Sequence, residues 1–519
     1  MLTFKAIKTA IHFIMQKRNL LLYSFSLFVF ITAYKVDAQN LSPVVKTNKG
    51  YILGAIENNI SVFKGVPYAA PPLGELRFKP PVDHDLWKDT LSALKFGSVA
   101  TQNSSKSVVG SEDCLSLNIY TPNADRQKRA VLVWVHGGSM TAGAGKGQDG
   151  HGFADRDDIV TVTINYRLGV FGFMYLGDVD KGYAASANNG VLDCIMALTW
   201  IRKNIAAFGG DPNRVTIMGE SAGAKLLSAV VVSPKAKGLF QQYIAESGSV
   251  QCIRDTITAK NMRLRVLRQL HLGPNDAAKL LTLPADSLMK AQGRVCNGVE
   301  ATSFFGPVDD GKVITGDPYQ YAAANKLPRF KALMGTNKTE ATLFAAMDSR
   351  LKQPDSLVFK GMFEDVYPVV YNNYLQEQKT LSPQDAAIKV FTQYMYQMHT
   401  YRWAKALVQT GVPVWMYRFD YAKGSLGAAH AAELPFVWYD PATNFAGPEK
   451  KQLAVNMHNA WVAFIKTGNP NTSGLPQWPN YNNESRQVMI FDTPSQVTGL
   501  KEIFDDKDFP SAVFVSRGE

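Results

Sequence analysis

Ser221 stands in the run Gly219-Glu220-Ser221-Ala222-Gly223, with the apolar stretch Val215 to Met218 before it and Ala224 to Ala229 after it. Strand, abrupt turn and helix are implied, and a Gly-x-Ser-x-Gly turn in that setting is a nucleophile elbow. The two glycines relieve crowding where the backbone doubles back, which leaves the hydroxyl exposed above the ends of a sheet. The N-terminus of the following helix directs free N–H groups and a partial positive charge at the same point, where an oxyanion would develop. Alone, the five-residue pattern also fits a surface turn; its flanks and partners decide for chemistry.

A serine hydroxyl is a poor nucleophile at neutral pH and needs a base to take its proton. Of the chain's 8 histidines, those after Ser221 are His271, His399, His430 and His458. In this architecture the base follows the acid, in a loop after the final strands. His430 lies in the small-residue loop Gly427 to Glu433, whereas His399 and His458 fall in helical patterns and are expected to pack. Glu340, soon after the short apolar strand Ala332 to Gly335, is the expected acid that fixes the imidazole tautomer. Asp309 and Asp310 compete for that role but lie in a turn before the strand. Backbone donors for an oxyanion are expected at Ala222 and in the turn His136-Gly137-Gly138-Ser139-Met140, with His136 structural. Such a site should lose activity as pH falls through the ordinary histidine range, about 6 to 7. The glycine-rich loop Gly143 to Gly147 is no P-loop, because Gly147 stands where Ser or Thr is needed.

Strands and helices must hold these residues together. Val44 to Lys64 reads as small strands, and Ala130 to Val135, Asp158 to Ile164, Val215 to Met218 and Gln242 to Glu246 as buried ones. Asn189 to Phe208 has helical spacing and stops at Gly209-Gly210-Asp211-Pro212. Pro413 to Tyr421 is the last clear strand. Alternating strands and helices imply an α/β protein with a mostly parallel central sheet and helices on both faces. Residues 255–330 and 345–409 read as helical insertions over the active site. Ser221, Glu340 and His430 each fall beyond the carboxyl end of a strand, where function gathers in such sheets.

Residues 1–38 read as a secretory signal. Lys5, Lys8, Lys17 and Arg18 precede the apolar run Leu20 to Tyr34, and cleavage is expected after Ala38. The mature chain would then be secreted or periplasmic, and 39–519 would form a single catalytic domain. The apolar run is too short to span a bilayer easily, so no stable membrane anchor is expected. Removing five basic residues (with Lys35) and Asp37 takes the net charge from +11 to +7. The charge is dispersed, with no basic stripe interleaved with aromatics, which argues against nucleic acid. Cys114, Cys194, Cys252 and Cys296 are too few for a disulfide framework; an oxidising compartment would allow Cys252 and Cys296 to bridge. No Cys/His spacing suggests a metal site, and no cofactor is expected.

Taken together, the motifs resemble those of the type-B carboxylesterases, the esterase/lipase family that includes the cholinesterases, on the α/β-hydrolase fold. The resemblance runs from about Val44 to Asp492 and includes Phe63 to Ala69, Glu112 to Leu115, Asn165 to Gly169, Phe208 to Pro212, the Ser221 and Glu340 loops, and His430 to Phe436. It implies Ser221 as nucleophile, Glu340 as acid, His430 as base and Gly138, Ser139 and Ala222 as oxyanion donors. It also implies Ser247 as a support for the acid, and Arg77 with Glu112 and Arg167 with Asp193 as structural ion pairs. Three departures stand out. Ser139 replaces the third glycine of the oxyanion turn, Cys114 has no upstream cysteine partner, and the loop Thr101 to Ser111 lacks the tryptophan with which cholinesterases bind a cationic head. The resemblance implies hydrolysis of a small-molecule ester without cofactor. An amidase, an aryl or polymer esterase on the same triad, or a non-catalytic binding domain of the same fold are the alternatives.

Overall fold

The structure, a computed structural model, describes residues 42–105, 107–439, 445–502, 504 and 507–510; the expected leader lies outside the described residues. One large sheet is built from β1 (Ala55–Glu57), β2 (Ile60–Pro67), β3 (Ser116–Thr121), β4 (Arg129–Val135), β5 (Val160–Ile164), β6 (Gly210–Glu220), β7 (Gln242–Glu246), β8 (Lys331–Asn337), β9 (Val414–Phe419), β10 (Gln487–Phe491) and β11 (Gln496–Gly499). Across the sheet the order is β11-β10-β9-β8-β7-β6-β4-β5-β3-β2-β1. Every pairing from β5 through β10 is parallel, and the pairings at both margins are antiparallel.

Strand β4 illustrates how residue pattern becomes layering. Val131, Val133 and Val135 enter one core while Ala130, Leu132 and Trp134 enter another, as side chains alternate across the pleat. With both faces apolar, the sheet needs cover on both sides. Helices α1 (Asn189–Asn204) and α2 (Ala222–Val231) contribute Leu198, Ile201, Leu226 and Leu227 to the first core. Helix α3 (Pro448–Thr467) lays Leu453, Met457, Trp461 and Phe464 on the second. A third core, with Phe359, Phe363, Phe391 and Tyr394, gathers most of the helical segment between Ala341 and Met398. From Val44 onward the chain packs as one compact unit.

Two points that the sequence left open are settled by the fold. The sheet does not end near Tyr421: β10 and β11 extend it beyond β9, because α3 returns the chain to the sheet's edge. All four cysteines are free, so Cys252 and Cys296 form no bridge. The Cys252 thiol instead donates to the carbonyl of Lys225 at 3.3 Å, and burial pushes its pKa up to about 12.

The two ion pairs tie loops to this frame. Arg167 Nε and Nη2 reach Asp193 Oδ2 and Oδ1 at 2.9 and 2.7 Å, and both side chains are buried. Arg77 Nε donates to Glu112 Oε2 at 2.7 Å and its Nη1 to the carbonyl of Leu283 at 2.7 Å, clamping the Glu112 loop to the helical insertion. Breaking a buried pair strands a charge. Asp193→Ala should therefore lower unfolding free energy by about 3–5 kcal/mol, read as a shift of the urea midpoint.

Candidate active site

The carboxyl ends of β4, β6, β7, β8 and β9 open onto one site. Ser221 follows β6 directly and caps α2 with φ 54° and ψ −121°, a conformation that non-glycine residues rarely adopt. The flanking glycines permit it: a Cβ on Gly223 would lie 2.0 Å from the carbonyl oxygen of Val135, and one on Gly219 would lie 2.7 Å from the carbonyl carbon of Gly223. No side chain fits either place.

Ser221 Oγ lies 2.7 Å from His430 Nε2, and His430 Nδ1 lies 2.7 Å from Glu340 Oε2. A neutral imidazole protonated at Nδ1 would donate to the carboxylate and accept the serine proton at Nε2. Glu340 Oε1 accepts from Ser247 Oγ at 2.6 Å and from the Asn337 N–H at 2.7 Å, so both carboxylate oxygens are committed. The His430 loop is pinned from below, where the His430 N–H donates to the Glu340 carbonyl at 3.2 Å and Asn337 Nδ2 to the Ala429 carbonyl at 2.6 Å. Ser221 and His430 are each 8% exposed, enough for a substrate atom to reach them.

Gly138, Ser139 and Met140 all have positive φ, at 105°, 55° and 57°, which turns the loop after β4 back toward the serine. The N–H groups of Gly138, Ser139 and Ala222 have no hydrogen-bond partner among the described residues. His136 is structural in its surroundings: its ring stacks on Tyr166 at 4.5 Å, and burial lowers its pKa to about 4. Asp309 and Asp310 lie elsewhere, accepting from backbone N–H groups of the turn 311–316. His399 and His458 are buried in helices, with His458 Nε2 on Asp157 Oδ2 at 2.8 Å. No cluster of His, Cys, Asp and Glu suited to a metal ion occurs among the described residues.

Several residues at the site escaped the sequence reading. Glu220 Oε1 lies 3.1 Å from His430 Nε2, outside hydrogen-bond alignment and otherwise without a partner. Burial, partly offset by His430 and reinforced by Glu340, raises the pKa of this carboxyl to about 7. Glu433 is buried and raised to about 8 by burial, Glu220 and Glu340, while the buried Glu246 accepts from Trp461 Nε1 at 2.7 Å. Around His430 the balance runs the other way. Burial lowers its pKa, but Glu220, Glu340 and Glu433 overcome that and raise it to about 9. Tyr396 lies in a π-helical turn, Gln393–Gln397, with its ring 4.7 Å from that of His430. Only Glu220 carried a sequence signal, its place beside the serine; nothing in periodicity marks a π-turn.

A profile of the carboxylesterase family matches residues 41–506. The chain belongs to the carboxylesterase family. This carboxylesterase is 35% identical to the para-nitrobenzyl esterase of Bacillus subtilis, over 92% of this chain and 99% of the relative. It is 32% identical to the phenmedipham hydrolase of Pseudarthrobacter oxydans, over 86% and 94% of the two chains. The solved structure of the carboxylesterase Est55 from Geobacillus stearothermophilus superposes with a TM-score of 0.81 at 38% identity, covering 88% of this chain and 98% of that one. The protein is thus a carboxylic-ester hydrolase with the α/β-hydrolase fold. No helix among its described residues is long and apolar enough to cross a membrane.

The raised pKa of His430 revises the expected pH dependence. A protonated imidazole cannot act as base, so kcat/KM should rise with pH through a value above the ordinary histidine range, not through 6 to 7. Glu220 is the largest influence holding the proton on. Glu220→Gln removes that anion and should move the rising limb to lower pH, by on the order of one unit; a limb that stays in place would deny Glu220 this influence.

Proposed function

We propose that this carboxylesterase hydrolyses small carboxylic esters through an acyl-enzyme on Ser221, and that it does so after export from the cytoplasm. In the first half-reaction Ser221 Oγ forms a bond to the ester carbonyl carbon while its proton passes to His430 Nε2. The carbonyl electron pair moves onto oxygen, where the N–H groups of Gly138, Ser139 and Ala222 receive it. The pair then returns, the bond to the alcohol oxygen breaks, and the Nε2 proton goes to the leaving alcohol. Water repeats the sequence in the second half, giving the acid and restoring the serine hydroxyl. Glu340, held by Ser247 and Asn337, keeps Nδ1 protonated and stabilises the imidazolium.

The observation that carries this reading is the unbroken hydrogen-bonded chain from Ser221 through His430 to Glu340, at 2.7 Å in each step. The unpartnered donors of the oxyanion turn support it further, because a backbone N–H left without a partner is costly unless something is meant to occupy it. Export rests on the sequence of residues 1–38 alone.

Ser221→Ala should abolish labelling by a fluorophosphonate and reduce hydrolysis of p-nitrophenyl butyrate by at least about 10³-fold; substantial turnover by that variant would refute the assignment. The N-terminus of the exported protein, read by sequencing, should be Gln39. A mature chain still beginning at Met1 would refute cleavage.

A further inference from the structure

The end of the sheet opposite Ser221 holds a cavity that the reaction does not use. Ser221 stands past the carboxyl end of β6, whereas Arg214 lies at the amino end of that strand's buried run, seven residues earlier. At about 3.3 Å per residue the two are about 23 Å apart. Around Arg214 the amino ends of β6, β7, β8 and β9 and the last turn of α3 surround a cavity of about 770 Å³. That volume falls within the range of small-molecule sites, about 300–1,000 Å³.

Two kinds of residue line it. Arg214, Arg329, Lys331 and Lys466 bring four cations, and no Asp or Glu is among the lining residues. Exposed cations elsewhere meet carboxylates, as Arg350 meets Glu300 and Lys389 meets Glu377. The C-terminus of α3 accounts for part of the grouping, because Arg214 Nη2 donates to the Lys466 carbonyl at 3.0 Å and Lys331 Nζ to the Thr467 carbonyl at 3.3 Å. Those bonds supply no counter-ion, and the side chains of Arg329 and Lys466 have no partner among the described residues. The second kind is apolar. Leu327, Pro328 and Pro413 are half-buried, so this wall presents carbon to solvent.

Cations alone would suit any anion, and carbon alone any oily molecule; a ligand that satisfies both has a negative head and an aliphatic body. A nucleic acid would leave the apolar wall uncovered, and the one ring in the lining, Phe330, is buried and offers bases no face to stack on. We propose that this cavity binds a long-chain carboxylate, with its head among the four cations and its chain against Leu327, Pro328 and Pro413. Carboxylic acids are what a carboxylic-ester hydrolase releases, so ligands of this class form at the enzyme itself. The cavity shares no lining residue with the site around Ser221, and its occupant leaves that site open.

The test uses the full enzyme and a dodecanoate carrying a diazirine at its tail, photolysed and mapped by mass spectrometry. Adducts should fall within residues 325–331 and 410–413. Unlabelled dodecanoate should suppress them at concentrations at least about tenfold below dodecanol, which lacks the charge, and butanoate, which lacks the chain. Arg329→Gln combined with Lys466→Gln should weaken this labelling by on the order of 10-fold, the worth of a hydrogen bond between charged groups. Any inhibition of p-nitrophenyl butyrate hydrolysis by dodecanoate, which reads the Ser221 site, should stay unchanged in that variant. Adducts confined to other residues would overturn the proposal. So would suppression by dodecanol or butanoate as effective as by dodecanoate, or labelling that the double variant leaves intact. A parallel loss of labelling and inhibition would put the ligand in the catalytic site and overturn it too. Should the variant not fold, the adduct map and the competition series on the unaltered enzyme decide alone.

Discussion

In the proposed reaction a buried imidazole must change its charge, and that requirement is the constraint against which the rest of the site can be read. Burial disfavours the imidazolium, and a histidine as enclosed as His430 would ordinarily be pinned neutral, as His136 is by the same effect. Carboxylates reverse that. A unit charge about 4 Å away contributes about 4 kcal/mol at an effective dielectric near 20, and Glu340 and Glu220 are both closer to the ring nitrogens than that. The carboxyls cannot all be ionised together. Glu220 and Glu433 are pushed up toward and past neutrality, and Glu246 well above its usual range. Glu340 differs from them in its partners, its oxygens being held by Ser247, Asn337 and His430.

Delivery of those groups depends on the parallel ladder continuing one step past the strands. The Ser221 N–H donates to the Glu246 carbonyl at 2.8 Å, the Ser247 N–H to the Gly335 carbonyl at 2.9 Å and the Lys338 N–H to the Phe419 carbonyl at 2.9 Å. Each bond extends the register of two adjacent strands into the loops that carry chemistry. Ser221, Ser247 and the Glu340 loop are thereby set by sheet geometry, not by loop conformation. Ser221 and Ser247 both adopt positive φ at these exits, at 54° and 51°. That strain, of order 1–3 kcal/mol each, is sustained because the cores on either side of the sheet leave the backbone no alternative.

What the sequence disclosed, and what it withheld, follows from the range of the interactions involved. The elbow was legible because its glycines answer to contacts within a few residues, Gly219 against Gly223, and to one obligatory neighbour, β4. Strand β7 was read at its observed bounds because five buried residues in a row leave no other periodicity. Strands β10 and β11 were missed since runs of four or five residues carry little pattern, and β3 escaped because its burial is complete on both faces despite Ser116, Asn118 and Thr121. Chemistry carried by single side chains fared worst. The approach of Glu220 to Nε2, the π-turn under Tyr396 and the missing bridge at Cys252 are set by tertiary packing among segments far apart in the chain.

Charge at the site is divided by position. Carboxyls gather around His430, while the backbone N–H groups at the start of α2 stand on the other side of Ser221. In the proposed reaction a negative charge grows on the carbonyl oxygen as a positive charge grows on the imidazole. The permanent field across Ser221 thus runs in the direction that this separation needs, and its sources are already fixed before substrate arrives. Preorganised dipoles and charges lower a barrier because they need no reorientation during the step.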